Sequence, residues 1–156
     1  MDGVLKTADE LEELVGHWRP ILLSWPESGV SAKESEERWS VKEIVGHLTD
    51  SAGNNIQRFV RLQYVKELSF PDYTHHNEAW VAIQGYRDGE WARLVDLWSG
   101  LNLHIVRLLR RIQPDALSHA WTEGSESPVT LRELIPAYVS HQKMHLEQAA
   151  ERMAGR

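Results

Sequence analysis

The feature that most constrains this chain is the helix start at Trp39-Ser-Val-Lys-Glu-Ile44, followed by a long run of unbroken helical rhythm. Ser40 can accept from the backbone of Glu43 while Glu43 reaches back to the amide of Ser40. Trp39 and Ile44 stand where two apolar residues clasp a helix entry. Val41, Ile44, Leu48, Ala52, Phe59 and Leu62 then form one apolar stripe, which predicts a helix from Val41 to about Glu67. Such a helix draws most of its stability from neighbours that bury its stripe, so the rest of the chain must supply them.

Thr7-Ala-Asp-Glu10 has the same capping-box pattern and precedes Leu11, Leu14, Val15, Trp18 and Leu22 in helical spacing. Pro20 predicts a kink or an early end near Arg19. Residues 26–38 carry no periodicity and read as a loop. Phe70-Pro71-Asp72 reads as a turn, and Asn77 as the cap of a short helix running to Gln84 before Gly85. Leu94, Trp98, Leu101, Ile105, Leu108 and Ile112 share one face of a helix from about Glu90 to Ile112, ended by Pro114. Arg107, Arg110 and Arg111 near its end read as partners for the negative pole of the helix dipole. A connector from Asp115 to Pro128, carrying Trp121 and Gly124, leads to a third capping box, Thr130-Leu-Arg-Glu133, with Val129 and Leu134 as a staple. The last helix starts there, and Pro136 predicts a bend near its beginning. Four long amphipathic segments with no strand alternation and no internal repeat predict a single all-α domain over residues 1–156, built as a four-helix bundle. Nothing suggests βαβ units or a glycine-rich phosphate loop, which argues against nucleotide-cofactor folds.

Composition narrows the chemistry. There is no cysteine, so disulfides, thiolate-bound zinc and a thiolate nucleophile are excluded, and any reactive thiol must arrive with a substrate. A formal charge of -6 without a broad basic face argues against nucleic acid as a partner. No apolar run approaches the roughly 20 residues that span a bilayer, and the N-terminal residues lack the pattern of a secretory signal. The expected setting is therefore the cytoplasm, with no membrane partner.

The chemistry-bearing residues are histidines. In Tyr138-Val-Ser-His141-Gln-Lys-Met-His145 two imidazoles four residues apart stack on one helical face, about 6 Å apart along the axis. Leu134, Tyr138 and Gln148 share that face. The pair can converge on one divalent cation at roughly 2.0–2.1 Å. His47 stands beside the apolar stripe of its own helix, on a side shared with Ser51, Asn54 and Arg58, and is the candidate third ligand. His17, His75, His76, His104 and His119 show no comparable arrangement. Three imidazoles leave a coordination position open, the pattern of a catalytic site. The plain alternative is a set of hydrogen-bonded core histidines. Asp50, close to His47 along the helix, either orients it, carries a proton, or is a solvated surface carboxylate. Gln142 occupies the position where the His-Glu-x-x-His peptidase motif places its base, so a metallopeptidase is disfavoured.

Trp39-Ser-Val-Lys-Glu-Ile-Val-Gly-His47-Leu-Thr-Asp50, the helix through Leu94 and Leu109, and Thr130-Leu-Arg-Glu-Leu with His141-x-x-x-His145 together resemble the DinB/YfiT-like superfamily. The similarity runs in order through nearly the whole chain. It implies an up-down-down-up four-helix bundle, frequent homodimers, and a divalent metal held by three histidines that fall at His47, His141 and His145. Characterised members include thiol-dependent S-transferases and isomerases working with small cellular thiols such as bacillithiol or mycothiol. Zinc or nickel is the expected ion, although three imidazoles also accept copper, cobalt, iron or manganese. The expected function is a metal-dependent transferase that activates a low-molecular-weight thiol, with Ser51, Asn54 and Arg58 lining the small-molecule substrate groove. The alternatives are a metal-dependent hydrolase using bound hydroxide and a non-enzymatic bundle that binds a small molecule or a second copy. Pro136 and the adjacent His75 and His76 depart from the family pattern.

Overall fold

In the computed structural model, residues 1–123 and 126–155 are described, and Gly124 of the predicted connector lies outside them. The first helix, α1, spans Asp2–Ser24. It starts ahead of the predicted box at Thr7, whose hydroxyl donates to the carbonyl of Gly3 inside the helix at 2.9 Å. It also continues past Pro20 rather than ending near Arg19. Val15 and Leu22, both buried, anchor the helix on either side of the proline, and this tertiary anchoring outweighs the lost hydrogen bond. The predicted loop holds a short helix, α2, Glu27–Ser31, which buries Val30 and places Glu27 against Lys42. Lys42 is itself almost fully buried and donates to the carbonyl of Gly89 at 2.6 Å.

The helix that organises the sequence, α3, spans Val41–Arg61, with both capping-box bonds formed: Ser40 amide to Glu43 Oε2 at 2.7 Å, and Glu43 amide to Ser40 Oγ at 3.2 Å. It stops short of Glu67 because the chain turns after Leu62, burying Leu68 in a small sheet that the sequence did not announce. That sheet pairs β1, Glu67–Ser69, in parallel with β2, Ala120–Thr122, which pairs antiparallel with β3, Val129–Thr130. Strands of two or three residues are too short to show alternation, and Leu68 and Trp121 are their buried residues. Helix α4, Asn77–Gln84, ends at Gly85, whose φ of 60° is a left-handed conformation that favours glycine. Helix α5 spans Trp91–Leu109, and α6 spans Leu131–Ala154 behind a formed capping box at Thr130 and Glu133. Pro136 lies inside α6, which continues past it unbroken.

The four long helices form the bundle. α1 and α3 each pack against both α5 and α6, which leaves α1 and α3 facing across one diagonal. Arg110 stands at the C-terminal cap of α5. It reaches Asp9 and Glu12 of α1, each at 2.7 Å, an exposed bridge worth little to stability. Among the described helices none is long and apolar enough to cross a membrane.

Where α3 meets the segment after α4, Gly46 allows a close approach. A Cβ built there would fall 2.1 Å from Cδ2 of Tyr86, and that ring is tethered because its hydroxyl donates to Asp50. Gly46→Ala is therefore expected to cost about 1–3 kcal/mol, a fall in Tm of about 2–12 °C in a chain of this size. Thermal melts followed by circular dichroism check this, and an unchanged Tm would mean that Tyr86 swings aside freely.

Candidate metal centre

The capping boxes at Ser40 and Thr130 set where α3 and α6 begin, and these two helices deliver the histidines to one point. His47 Nε2 lies 3.2 Å from His141 Nε2. Ring centroids are 5.1 Å apart for His47 and His141, 4.9 Å for His47 and His145, and 4.6 Å for His141 and His145. One nitrogen from each ring falls within 4.8 Å of the others, a set that could hold a metal ion. Two nitrogens on a tetrahedral ion, each at about 2.0–2.1 Å, stand roughly 3.3 Å apart, close to the observed separation. A hydrogen bond between His47 and His141 would account for one such contact, but not for His145 converging on the same place.

The electrostatics suit metal ligation. Burial, then the neighbouring His141 and His145, push His47 down to about 3. Burial, then His145, push His141 down to about 4 against a smaller upward pull from Asp72. Both rings are neutral near pH 7, the form that offers a lone pair to a metal. Gln148 Oε1 lies 2.9 Å from His145 Nδ1 and, as an acceptor, holds the proton there so that Nε2 stays free. Ser51 Oγ stands 3.5 Å from His141 Nδ1. His47 Nδ1 is buried without a hydrogen-bond partner. Trp39, read from the sequence as a helix staple, also lies against the site, its ring centroid 5.1 Å from that of His47, and its indole donates to Glu78 at 3.1 Å.

A pocket of about 250 Å³ opens beside His47 and His141, and Ser51, Asn54 and Arg58, the predicted groove residues, all line it. Sequence reasoning missed Asp72 and Tyr73, which also line it. Asp72 Oδ2 pairs with Arg58 Nη2 at 3.0 Å, and Oδ1 accepts from the Tyr73 amide at 2.8 Å and from Asn54 Nδ2 at 3.3 Å. Burial would raise the Asp72 carboxyl, but Thr74, Arg58 and the Tyr73 amide outweigh it and hold it below the usual carboxylate range.

Asp50 is not the solvated surface carboxylate of the plain reading. It is buried, and its carboxylate accepts from Tyr86 and Gln84 rather than touching His47. Burial holds it above its ordinary range, with those two donors opposing. Gln142 is fully buried and turned into the core, where Nε2 donates to the Leu48 carbonyl at 3.3 Å and Oε1 accepts from the Trp98 indole at 2.9 Å. His17, His75, His76 and His104 are exposed away from the cluster, and His119 bonds to the Leu62 carbonyl.

The sequence model of the DinB superfamily matches residues 2–149. Among solved structures, YfiT from Bacillus subtilis, described as a probable metal-dependent hydrolase with an unusual four-helix bundle topology, superposes with a TM-score of 0.84. The two are 20% identical, over 94% of this chain and 83% of YfiT, a likeness of fold. No curated protein is significantly similar.

Proposed function

We propose a function from one premise: the chain belongs to the DinB superfamily. In this reading His47, His141 and His145 hold a divalent ion, zinc or nickel, and the pocket beside them binds a small thiol for transfer to an electrophile. The observation that carries it is the convergence of three imidazoles from two helices on one point, with two of them, His47 and His141, lining the pocket. A divalent ion held by neutral ligands keeps its full charge and acidifies a thiol or water bound to it. The up-down-down-up order of helix directions, a homodimer and a cytoplasmic setting belong to the same proposal.

The chain's own residues favour a thiol over water. Cleaving an amide calls for a group that protonates the departing nitrogen. Asp72 is already engaged by Arg58, Asn54 and the Tyr73 amide, and Asp50 faces Tyr86 and Gln84. A thiol, with an ordinary pKa near 8.5, needs no such partner to become a nucleophile, and in a chain without cysteine it must come with the substrate. The description of YfiT supports hydrolysis as the second reading.

Untagged protein loaded with zinc and incubated with monochlorobimane and a panel of small thiols tests the choice. The expected result is thiol-dependent loss of the electrophile that a chelator stops and zinc restores. Turnover of an ester or amide panel without thiol would favour hydrolysis. Neither activity, with metal bound, would leave a non-enzymatic bundle.

A further inference from the structure

Arg58 stands three helical turns beyond His47 on α3, yet lines the same pocket. It is 6% exposed, and its guanidinium carbon lies 3.9 Å from the centroid of the Trp121 ring, which restricts where the group can sit. A guanidinium carries five N–H donors in a planar fork. Here Nη2 is 3.0 Å from Asp72 Oδ2, in an ion pair whose angle falls short of a hydrogen bond, and Nη1 is 3.5 Å from Asn55 Oδ1. Nε is buried with no partner, and Nη2 has only the Asp72 ion pair. Buried donors on a charged group are costly to leave unpaired, so the fork is short of acceptors and borders a pocket that can provide one.

Charge decides what kind of acceptor. Asp72 balances Arg58, and its own oxygens are already taken by Arg58, Asn54 and the Tyr73 amide. A divalent ion held at the three histidines would add positive charge that Asp72, already set against Arg58, does not balance. A planar anion with two oxygens matches both the fork and that charge. The volume of about 250 Å³, against roughly 30 Å³ for one water, admits a molecule the size of a short dicarboxylate.

We propose that Arg58 recognises a carboxylate, so that the substrate is a small carboxylic acid with its carboxylate at Arg58 and its reacting group at the histidine end of the pocket. This rests on reading the pocket as the substrate site.

The test titrates succinate and its neutral counterpart succinamide into ¹⁵N-labelled full-length protein, metal-free and zinc-loaded. It follows the Arg58 Nε–H signal, assigned by its loss in Arg58→Lys. Succinate should move that signal and bind about tenfold or more tightly than succinamide, with further strengthening in the zinc-loaded protein. The double variant Arg58→Gln/Asp72→Asn, which removes both charges together, should lose the preference. Arg58→Lys, which keeps the charge without the fork, should weaken succinate about tenfold. Equal affinities for the two probes, or an Arg58 signal indifferent to succinate, would overturn the proposal. Zinc content measured on the same samples keeps the two ideas apart. Zinc bound without the succinate response removes only the role of Arg58, whereas the response in a protein that binds no zinc removes only the metal-dependent enzyme.

Discussion

His47→Ala is expected to strip the protein of its metal and of the thermal protection that metal gives. A ligand that binds only the folded state stabilises it by about 2.7 kcal/mol at a concentration 100 times its Kd. In a chain of this size that is about 5–11 °C in Tm. Wild-type protein held in such an excess of zinc should therefore melt about that much lower after a chelator is added. In His47→Ala the two melts should coincide, and bound zinc should fall from about one per chain to less than about a tenth, because two imidazoles on one helix are too few to hold the ion. Comparing each variant with and without chelator isolates the metal from the packing lost with the ring, which lies against Trp39. His141→Ala should behave alike, while His75→Ala, in an exposed turn after α3, should keep both metal and protection. Retention of full zinc content by His47→Ala would remove the centre.

Regular elements carried the part of this site that was legible in the sequence. His47, His141 and His145 lie on long helices whose starts are declared by Ser40 with Glu43 and by Thr130 with Glu133, so spacing alone placed each ring on a face. The same pattern at Thr7 misled, because a hydroxyl inside a helix can donate to the carbonyl one turn back, as Thr7 does to Gly3, and the four letters cannot distinguish the two uses. Asp72 and Tyr73 were illegible for a different reason. They sit on irregular backbone positioned by its contacts with Arg58, Asn54 and Glu123, and such contacts leave no period in the chain. Asp50 shows the limit of the helical face itself: its position on α3 was right, but Tyr86 and Gln84, which cover it, arrive from a distant segment.

Trp98→Ala is expected to be the most destabilising single change outside the histidines, and to reach the metal as well. Trp98 on α5 is fully buried, and its indole donates to Gln142 on α6, whose amide donates in turn to the carbonyl of Leu48 on α3. Leu48 follows His47 and Gln142 follows His141, so this relay pins the two ligand-bearing helices to each other one residue from the ligands. Truncating a buried tryptophan costs about 3–5 kcal/mol, a Tm loss of about 6–20 °C, from a total stability of about 5–15 kcal/mol. Trp98→Phe separates packing from the relay. It keeps a ring but removes the donor, leaving the Gln142 oxygen buried and unpaired at a cost of about 1–3 kcal/mol. If the relay holds the imidazoles in register, zinc affinity in Trp98→Phe should fall about tenfold or more, as for other groups that orient metal ligands. Denaturant melts and zinc competition against a chromogenic chelator measure the two effects. A Trp98→Phe protein that is less stable yet binds zinc with native affinity would show that α3 and α6 hold their histidines in place without the tryptophan between them.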